Sequence, residues 1–154
     1  MFRNNNSLKL EKLGFLQNSV VMLTLICLFG LSLRMYFFAP DIPLTLDALG
    51  YFWYANDMSI LGHIPNYSAS NNGWPVFLSV FFSIFHFDNP LQYMILQKSV
   101  SVSLSVLTVI PIYLLCTRFF PKSYSILGSL FFVIEPHIIQ NSLFGITEPL
   151  SILL

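Results

Sequence analysis

Four charged side chains lie beside long apolar stretches of the sequence, and their types and positions make them the best candidates for chemistry. Asp47 and Glu148 are carboxylates, and Lys98 and Arg34 are cations. A carboxylate can accept a proton from a hydroxyl group, orient that group or hold a metal ion. A cation can bind an anion such as a phosphate group and stabilise it as it leaves.

Both carboxylates also have simpler structural interpretations. Asp47 suits the N-cap of a helix over about 48–61, with Gly62 just beyond its end. Glu148 precedes Pro149, so it suits the first turn of a helix, where the helix dipole favours a negative charge. The sequence alone leaves the catalytic and the structural interpretation open for each of them.

The two cations have a simpler interpretation of their own. Arg34 lies near the end of the first apolar stretch, and Lys98 lies at the edge of another. Long basic side chains at such positions commonly extend along the helix until the charge reaches the membrane surface. Anion binding and this surface anchoring are both consistent with the sequence.

The composition predicts an integral membrane protein. Of the 154 residues, 55% are hydrophobic and 9% are charged, whereas soluble domains carry about 25% charged residues. Seven basic residues balance seven acidic ones, so there is no basic excess for nucleic acid. Soluble, disordered and nucleic-acid-binding classes are therefore excluded. We expect an all-α, multi-pass transmembrane protein with a long first external loop that contains interfacial helices.

The apolar stretches divide the chain into predicted spans. Residues 1–12 are polar and partly basic, which predicts a cytoplasmic N-terminus. A first span is predicted at 13–39 and an external loop at 40–98. Further spans are predicted at 99–116 and 123–139, and residues 149–154 are predicted to be the start of a truncated fourth span. Because the last of these ends within an apolar run, we expect the chain to be the N-terminal fragment of a longer protein.

Residues 75–87 are ambiguous because their apolar run is short for a span. If they cross the membrane, the basic residues Arg118 and Lys122 fall outside. If they lie along the outer interface, those residues are cytoplasmic and Asp47 and Glu148 share the outer face. The excess of basic residues in cytoplasmic loops favours the interfacial arrangement.

The order of these features resembles a known family. An arginine ends the first span, then come Asp47, Gly50-Tyr51, Leu61 to Pro65, Gly73-Trp74-Pro75 and, after two apolar segments, Gly145 to Leu150. This order resembles the start of the GT-C superfamily of membrane glycosyltransferases, which includes protein O-mannosyltransferases and lipid A aminoarabinose transferases. The resemblance covers about residues 15–154, the N-terminal third or so of such an enzyme.

The resemblance implies a function and a site. It implies transfer of a sugar from a polyprenyl-phosphate-linked donor to a protein, lipid or glycan acceptor at the outer or lumenal face. It makes Asp47 and Glu148 the catalytic carboxylates, and a lipid-phosphate donor makes Lys98 and Arg34 the residues that bind its phosphate. No metal ligands are assigned, because Ile146 stands where related enzymes have a second acidic residue, but a divalent metal is left open as a cofactor.

Two other functions remain as alternatives, a transporter and a non-catalytic subunit of a membrane assembly. Transporters place polar residues within their spans near the middle of the bilayer. Here the charges gather at the predicted outer ends, which favours the enzyme. The histidines have no metal-ligand spacing; they are His63, His86 and His137. The plasma membrane of a prokaryote and the endoplasmic reticulum would both suit the chain.

Overall fold

The computed structural model describes residues 5–66 and 72–154, and every regular element in these two ranges is an α-helix. The prediction of an all-α chain is therefore confirmed for the described residues. In chain order the helices are α1 Asn5–Tyr36, α2 Leu46–Leu61, α3 Gly73–Ile84, α4 Pro90–Leu107, α5 Val109–Cys116, α6 Lys122–Ile134, α7 Pro136–Phe144 and α8 Glu148–Leu153.

Two stretches of the described chain are long and apolar enough to cross a membrane. They are Ser19–Tyr36 within α1 and Pro90–Cys116 across α4 and α5. The bent pair α6 and α7 would make a third if the two helices form one broken span. The structure thus supports membrane-spanning helices, while the number of crossings and their orientation stay predictions.

Prolines explain where the long apolar segments are interrupted. Pro111 has no N–H to donate to the helix, and its ring crowds the carbonyl one turn earlier, so α4 and α5 separate at Thr108. Pro136 disfavours helical geometry at the preceding residue, and Glu135 is extended there. As a result α6 and α7 meet at 51°, and the predicted third span at 123–139 consists of two helices.

The helix that carries the predicted second span begins earlier than the sequence suggests. We placed the start of that span at 99, after Lys98, because a charge normally marks the end of an apolar segment. In the structure α4 begins at Pro90, and Asn89 caps it by accepting a 2.9 Å hydrogen bond from the backbone N–H of Leu91. Lys98 therefore lies within the helix, and the end of the predicted 40–98 loop is helical.

Helix α1 also differs from its predicted bounds. Its backbone is helical from Asn5 to Tyr36, so residues 13–36 of the predicted span form the later part of a longer helix and residues 37–39 lie beyond its end. Residues 5–12 of the predicted polar N-terminus belong to this helix, and residues 1–4 lie outside the described chain. The cytoplasmic placement of this end stays a prediction.

Helices α2 and α3 pack against each other and against α4 around one hydrophobic core. Phe52 on α2, Trp74, Leu78 and Phe82 on α3, and Leu104 on α4 are buried in it. Close packing of such side chains stabilises the fold through van der Waals contacts, each small but large in sum. At 12 residues α3 is an apolar helix shorter than the candidate spans, and its predicted interfacial position is untested.

A second, smaller core joins α1, α5 and α6. Ile26, Val109 and Val133 are buried together there. Gly30 makes the close approach of α1 and α6 feasible, because a Cβ atom at this position would lie only 2.8 Å from Cγ1 of Val133. Small residues at helix contacts are typical of packing in membranes, where backbones approach closely.

Two glycines in the left-handed region allow a test of how closely the backbone at Gly145 approaches Gln97. Both Gly62 and Gly145 have φ of 71°, but a Cβ at Gly62 would meet nothing within 4 Å, whereas one at Gly145 would lie 3.2 Å from Cγ of Gln97. We expect Gly62→Ala to cost about 1–2 kcal/mol of stability from backbone strain alone. Gly145→Ala should cost more, because Gln97 must also move. Thermal unfolding of the two variants in detergent measures this, and equal losses would contradict the close approach.

Candidate functional site

Lys98 lies in the wall of a cavity of about 190 Å³ between α4, α7 and the segment that joins α1 to α2. Its side chain is only 6% exposed. The ammonium nitrogen Nζ donates hydrogen bonds to the carbonyl oxygens of Ala39 at 3.2 Å and Ile42 at 2.6 Å. The cation is thus held by hydrogen bonds to the segment that links α1 to α2.

This cavity combines one positive charge with mainly apolar walls. The apolar lining includes Phe37, Pro43 and Phe144, and the polar lining besides Lys98 is Thr45 and Gln140. An ammonium group has three N–H donors, and the two carbonyl acceptors are neutral. The two bonds therefore satisfy part of the donor capacity of Lys98 but do not neutralise its charge. Such a cavity suits an anion that carries an apolar substituent.

Asp47 lies near this cavity at the start of α2, but it is not the N-cap. The N-cap residue is Thr45, whose side chain makes no capping hydrogen bond, and Asp47 is an exposed residue of the first turn. The predicted cap was therefore misplaced. The carboxylate still benefits from the helix dipole at this position. Because Thr45 lines the Lys98 cavity, Asp47 is within one helical turn of the cavity wall.

Arg34 is 0% exposed and its guanidinium is turned into the protein. Nη1 donates to the carbonyl oxygens of Gly30 at 3.1 Å and Val133 at 3.4 Å, and Nη2 donates to the hydroxyl of Ser105 at 2.9 Å. Nε has no hydrogen-bond partner among the described atoms. The side chain of Arg34 therefore does not reach the surface of the described structure. A buried cation bonded this way links α1, α4 and α6.

Glu148 is the first residue of α8 and is half-buried. The hydroxyl of Thr147 donates to its Oε2 at 3.4 Å. Its side chain lines a small cavity of about 10 Å³ together with Ser105 and Asn141. This is about the space that one water molecule needs. The position in the first turn agrees with the structural interpretation of Glu148, favoured by the helix dipole.

The structure groups the four candidates differently from the sequence-based pairs. The sequence predicts that Asp47 and Glu148 act together as catalytic carboxylates, and that Lys98 and Arg34 act together as phosphate-binding cations. Instead, the start of α2 that bears Asp47 is close to the cavity of Lys98. Arg34 is bonded to Ser105, which also lines the small cavity beside Glu148. The catalytic and phosphate-binding roles themselves stay predictions.

Two further buried residues hold the backbone near the candidate residues, and the sequence did not predict this role for either of them. Gln97 is 0% exposed, and its Nε2 donates to the carbonyl oxygens of Ala48 at 3.0 Å and Gly145 at 2.8 Å. Trp74 donates from Nε1 to the same Gly145 oxygen at 3.0 Å. A glutamine beside Lys98 in an apolar helix was the available signal, since a buried amide needs hydrogen-bond partners.

Metal binding finds no support in the described side chains, among which no group of three or more His, Cys, Asp or Glu residues could hold an ion. His63 is exposed, and its Nδ1 lies 3.0 Å from the carbonyl oxygen of Ile64. A divalent metal cofactor was left open by the sequence, and it enters none of the steps proposed below.

The comparisons with known proteins returned nothing: no family model, no curated protein and no solved structure matches the chain. The resemblance to GT-C enzymes therefore rests on the order of residues in the sequence.

The hydrogen bond between Arg34 and Ser105 should contribute to stability, and the exposed Ser103 on the same helix provides the control position. Ser105→Ala removes the acceptor of a buried charged donor, which typically costs about 1.5–3 kcal/mol. Ser103→Ala changes an exposed serine of the same helix that bonds only to the carbonyl of Ser99, so we expect a change within about 0.5 kcal/mol. Thermal unfolding in detergent compares them. Equal stability of the two variants would show that Arg34 does not depend on Ser105.

Proposed function

We propose that the chain is part of a membrane glycosyltransferase that takes a sugar from a polyprenyl-phosphate-linked donor and transfers it to an acceptor hydroxyl. One observation carries the proposal: the buried ammonium group of Lys98 lies in the wall of a cavity of about 190 Å³ whose lining is mainly apolar. Phosphate and polyprenyl chain together have the charge and the apolar surface that such a cavity would bind.

Burying the charge of Lys98 in an apolar cavity wall is costly. A cation in an apolar setting loses its hydration, and neutral carbonyl oxygens replace only part of it. A phosphate oxygen in the cavity would give Lys98 a charge-assisted hydrogen bond, which is about twice as strong as a neutral one. The same contact would stabilise the negative charge that develops on the phosphate as it leaves the sugar.

Asp47 is the proposed base. Its carboxylate is exposed at the start of α2, so an acceptor can reach it from outside the helix bundle. In the proposed reaction the acceptor hydroxyl gives its proton to Asp47, and its oxygen bonds to the anomeric carbon of the sugar. The bond from that carbon to the phosphate oxygen breaks, and the phosphate leaves with the electron pair. The GT-C resemblance implies inversion at the sugar carbon.

Glu148 and Arg34 take no direct part in this proposal. Arg34 offers no exposed surface to a donor, and Glu148 lines a cavity with room for about one water molecule. We infer that both residues shape the helix packing behind the site. Their predicted roles as second carboxylate and second phosphate-binding cation have no support in their contacts.

The proposed setting is a multi-pass protein with the Lys98 cavity towards the outer or lumenal side. The basic residues near the N-terminus favour a cytoplasmic start, which would put the segment between α1 and α2 outside after one crossing. A polyprenyl donor would then enter from the bilayer, and the acceptor from the aqueous side. The membrane would be the plasma membrane of a prokaryote or the endoplasmic reticulum.

One observation favours the alternative of a transporter. Helices α6 and α7 form a bent pair with an angle of 51°, and discontinuous helices are typical of transporter sites. The break at Glu135 is, however, explained by the proline that follows it. A non-catalytic subunit is the remaining alternative, and it differs from the enzyme in lacking transfer activity.

Donor binding is the first test. We expect Lys98→Met to weaken binding of a polyprenyl phosphate to the chain in nanodiscs roughly ten- to a hundredfold, because a charged hydrogen bond is lost. Lys98→Arg, which keeps the charge, should retain most of the affinity. Lys122→Met removes an exposed lysine at the start of α6 and is the matched control. Equal binding by Lys98→Met and the natural chain would refute the phosphate site.

Transfer activity is the second test, made on the protein as its host produces it. Asp47→Asn should lower sugar transfer at least about a hundredfold, the low end of general-base contributions. Stability should change by no more than about 1 kcal/mol, since only an exposed first-turn charge is lost. Asp41→Asn, another exposed aspartate nearby, is the control. Normal transfer by Asp47→Asn would leave Asp47 with a structural role only.

A further inference from the structure

A separate pocket of about 110 Å³ lies between α2 and the chain that joins α3 to α4. Four aromatic residues line this aromatic pocket, namely Phe52, Trp53, Phe87 and Tyr93, and its polar lining is Asn56 and Asp88. We infer that the aromatic pocket binds an alkylammonium group, a positively charged amine that carries carbon substituents. The inference does not rest on the proposed glycosyltransferase, because none of these residues lines the Lys98 cavity.

The aromatic rings come as two pairs from different elements. Phe52 and Trp53 on α2 have ring centroids 5.3 Å apart and planes at 72°. Phe87, which precedes α4, and Tyr93 within α4 have centroids 5.1 Å apart and planes at 76°. A cation is attracted by the negative face of an aromatic ring, and groups of several rings are the usual binding sites of quaternary ammonium groups.

The pocket is held in shape before any ligand arrives. The hydroxyl of Tyr93 accepts a 3.0 Å hydrogen bond from the backbone N–H of Phe87. The ring of the buried Phe82 contacts both sides, with centroids 5.8 Å from Phe52 and 5.1 Å from Tyr93. Walls fixed in this way lose little conformational entropy on binding, which favours affinity.

The charge of the pocket selects a cation. Asp88 is exposed at the rim, and none of the described lining residues is basic. A phosphate would be repelled by the carboxylate, whereas an ammonium group would be attracted by both the carboxylate and the rings. A neutral sugar could also stack on Trp53, which is 53% exposed, but it would gain little from the charge of Asp88.

The amine has two sources, a lipid headgroup such as that of phosphatidylcholine and a soluble amine such as choline. The probe is choline, added to the protein in nanodiscs of phosphatidylglycerol and followed by saturation-transfer NMR of its methyl groups. A lipid source predicts that doping the discs with phosphatidylcholine displaces choline. A soluble source predicts that doping has no effect. Both outcomes support an alkylammonium site and distinguish its origin.

Variants decide whether the signal comes from this pocket. We expect Asp88→Asn and Trp53→Leu each to weaken choline binding about two- to fivefold, the typical effect of losing a cation contact at an exposed position. Both positions are exposed, so the fold should tolerate the changes. Asp41→Asn, which removes an exposed carboxylate outside the pocket, should bind choline normally. Methyl glucoside, a neutral sugar, is the competing probe. The inference is overturned if choline does not bind, if Asp88→Asn leaves its binding unchanged, or if methyl glucoside binds more tightly than choline.

Discussion

The carbonyl oxygen of Gly145 accepts two buried hydrogen bonds, and the arrangement of α2, α3, α4 and α8 depends on them. Trp74 donates from α3 and Gln97 donates from α4. A backbone carbonyl just beyond the end of a helix has no intrahelical donor, and leaving it unpaired in an apolar interior is costly. Because Gln97 also bonds to the carbonyl of Ala48, one amide joins α2 and α4 to the turn between α7 and α8.

These hydrogen bonds also hold the backbone close to Asp47 and Glu148. Ala48 directly follows Asp47, and Glu148 comes shortly after Gly145, so both carboxylates are attached to backbone that Gln97 holds. The left-handed conformation of Gly145 lets its chain pass close to Gln97, where a side chain would collide. A single buried amide therefore bonds to the backbone near both carboxylates, although it contacts neither of them.

Both buried cations need hydrogen-bond acceptors inside the protein, but the acceptors come from different parts of the fold. Lys98 and Arg34 both lack a described carboxylate partner and use neutral oxygens instead. The acceptors of Arg34 come from three packed helices, so its charge is enclosed and acts as a link between them. The acceptors of Lys98 come from a single linking segment that also borders a cavity. Lys98 is thus the cation that can still meet a ligand.

The sequence predicted the helices but not the contacts between them. Apolar runs and prolines identify most helical segments, because they depend on neighbours within a few residues. The predicted span at 99–116 leaves out Lys98, because the oxygens that accept its hydrogen bonds belong to Ala39 and Ile42, far away in the sequence. The cap of α2 was misplaced because Thr45, Asp47 and their neighbours offer several cap residues within one turn. The grouping of Arg34 with Ser105 required the packed structure.

Helix α2 connects the two ligand sites inferred for this chain. Thr45, before its first turn, lines the Lys98 cavity, while Phe52 and Asn56 line the aromatic pocket. The face between them, which includes Ala48 and Phe52, is buried against α3 and α4. Spacings of three, four and seven residues keep these side chains along one face of the helix. A movement of α2 would therefore alter an anion site and a cation site together, and the Gln97 bond to Ala48 is the contact that opposes such a movement.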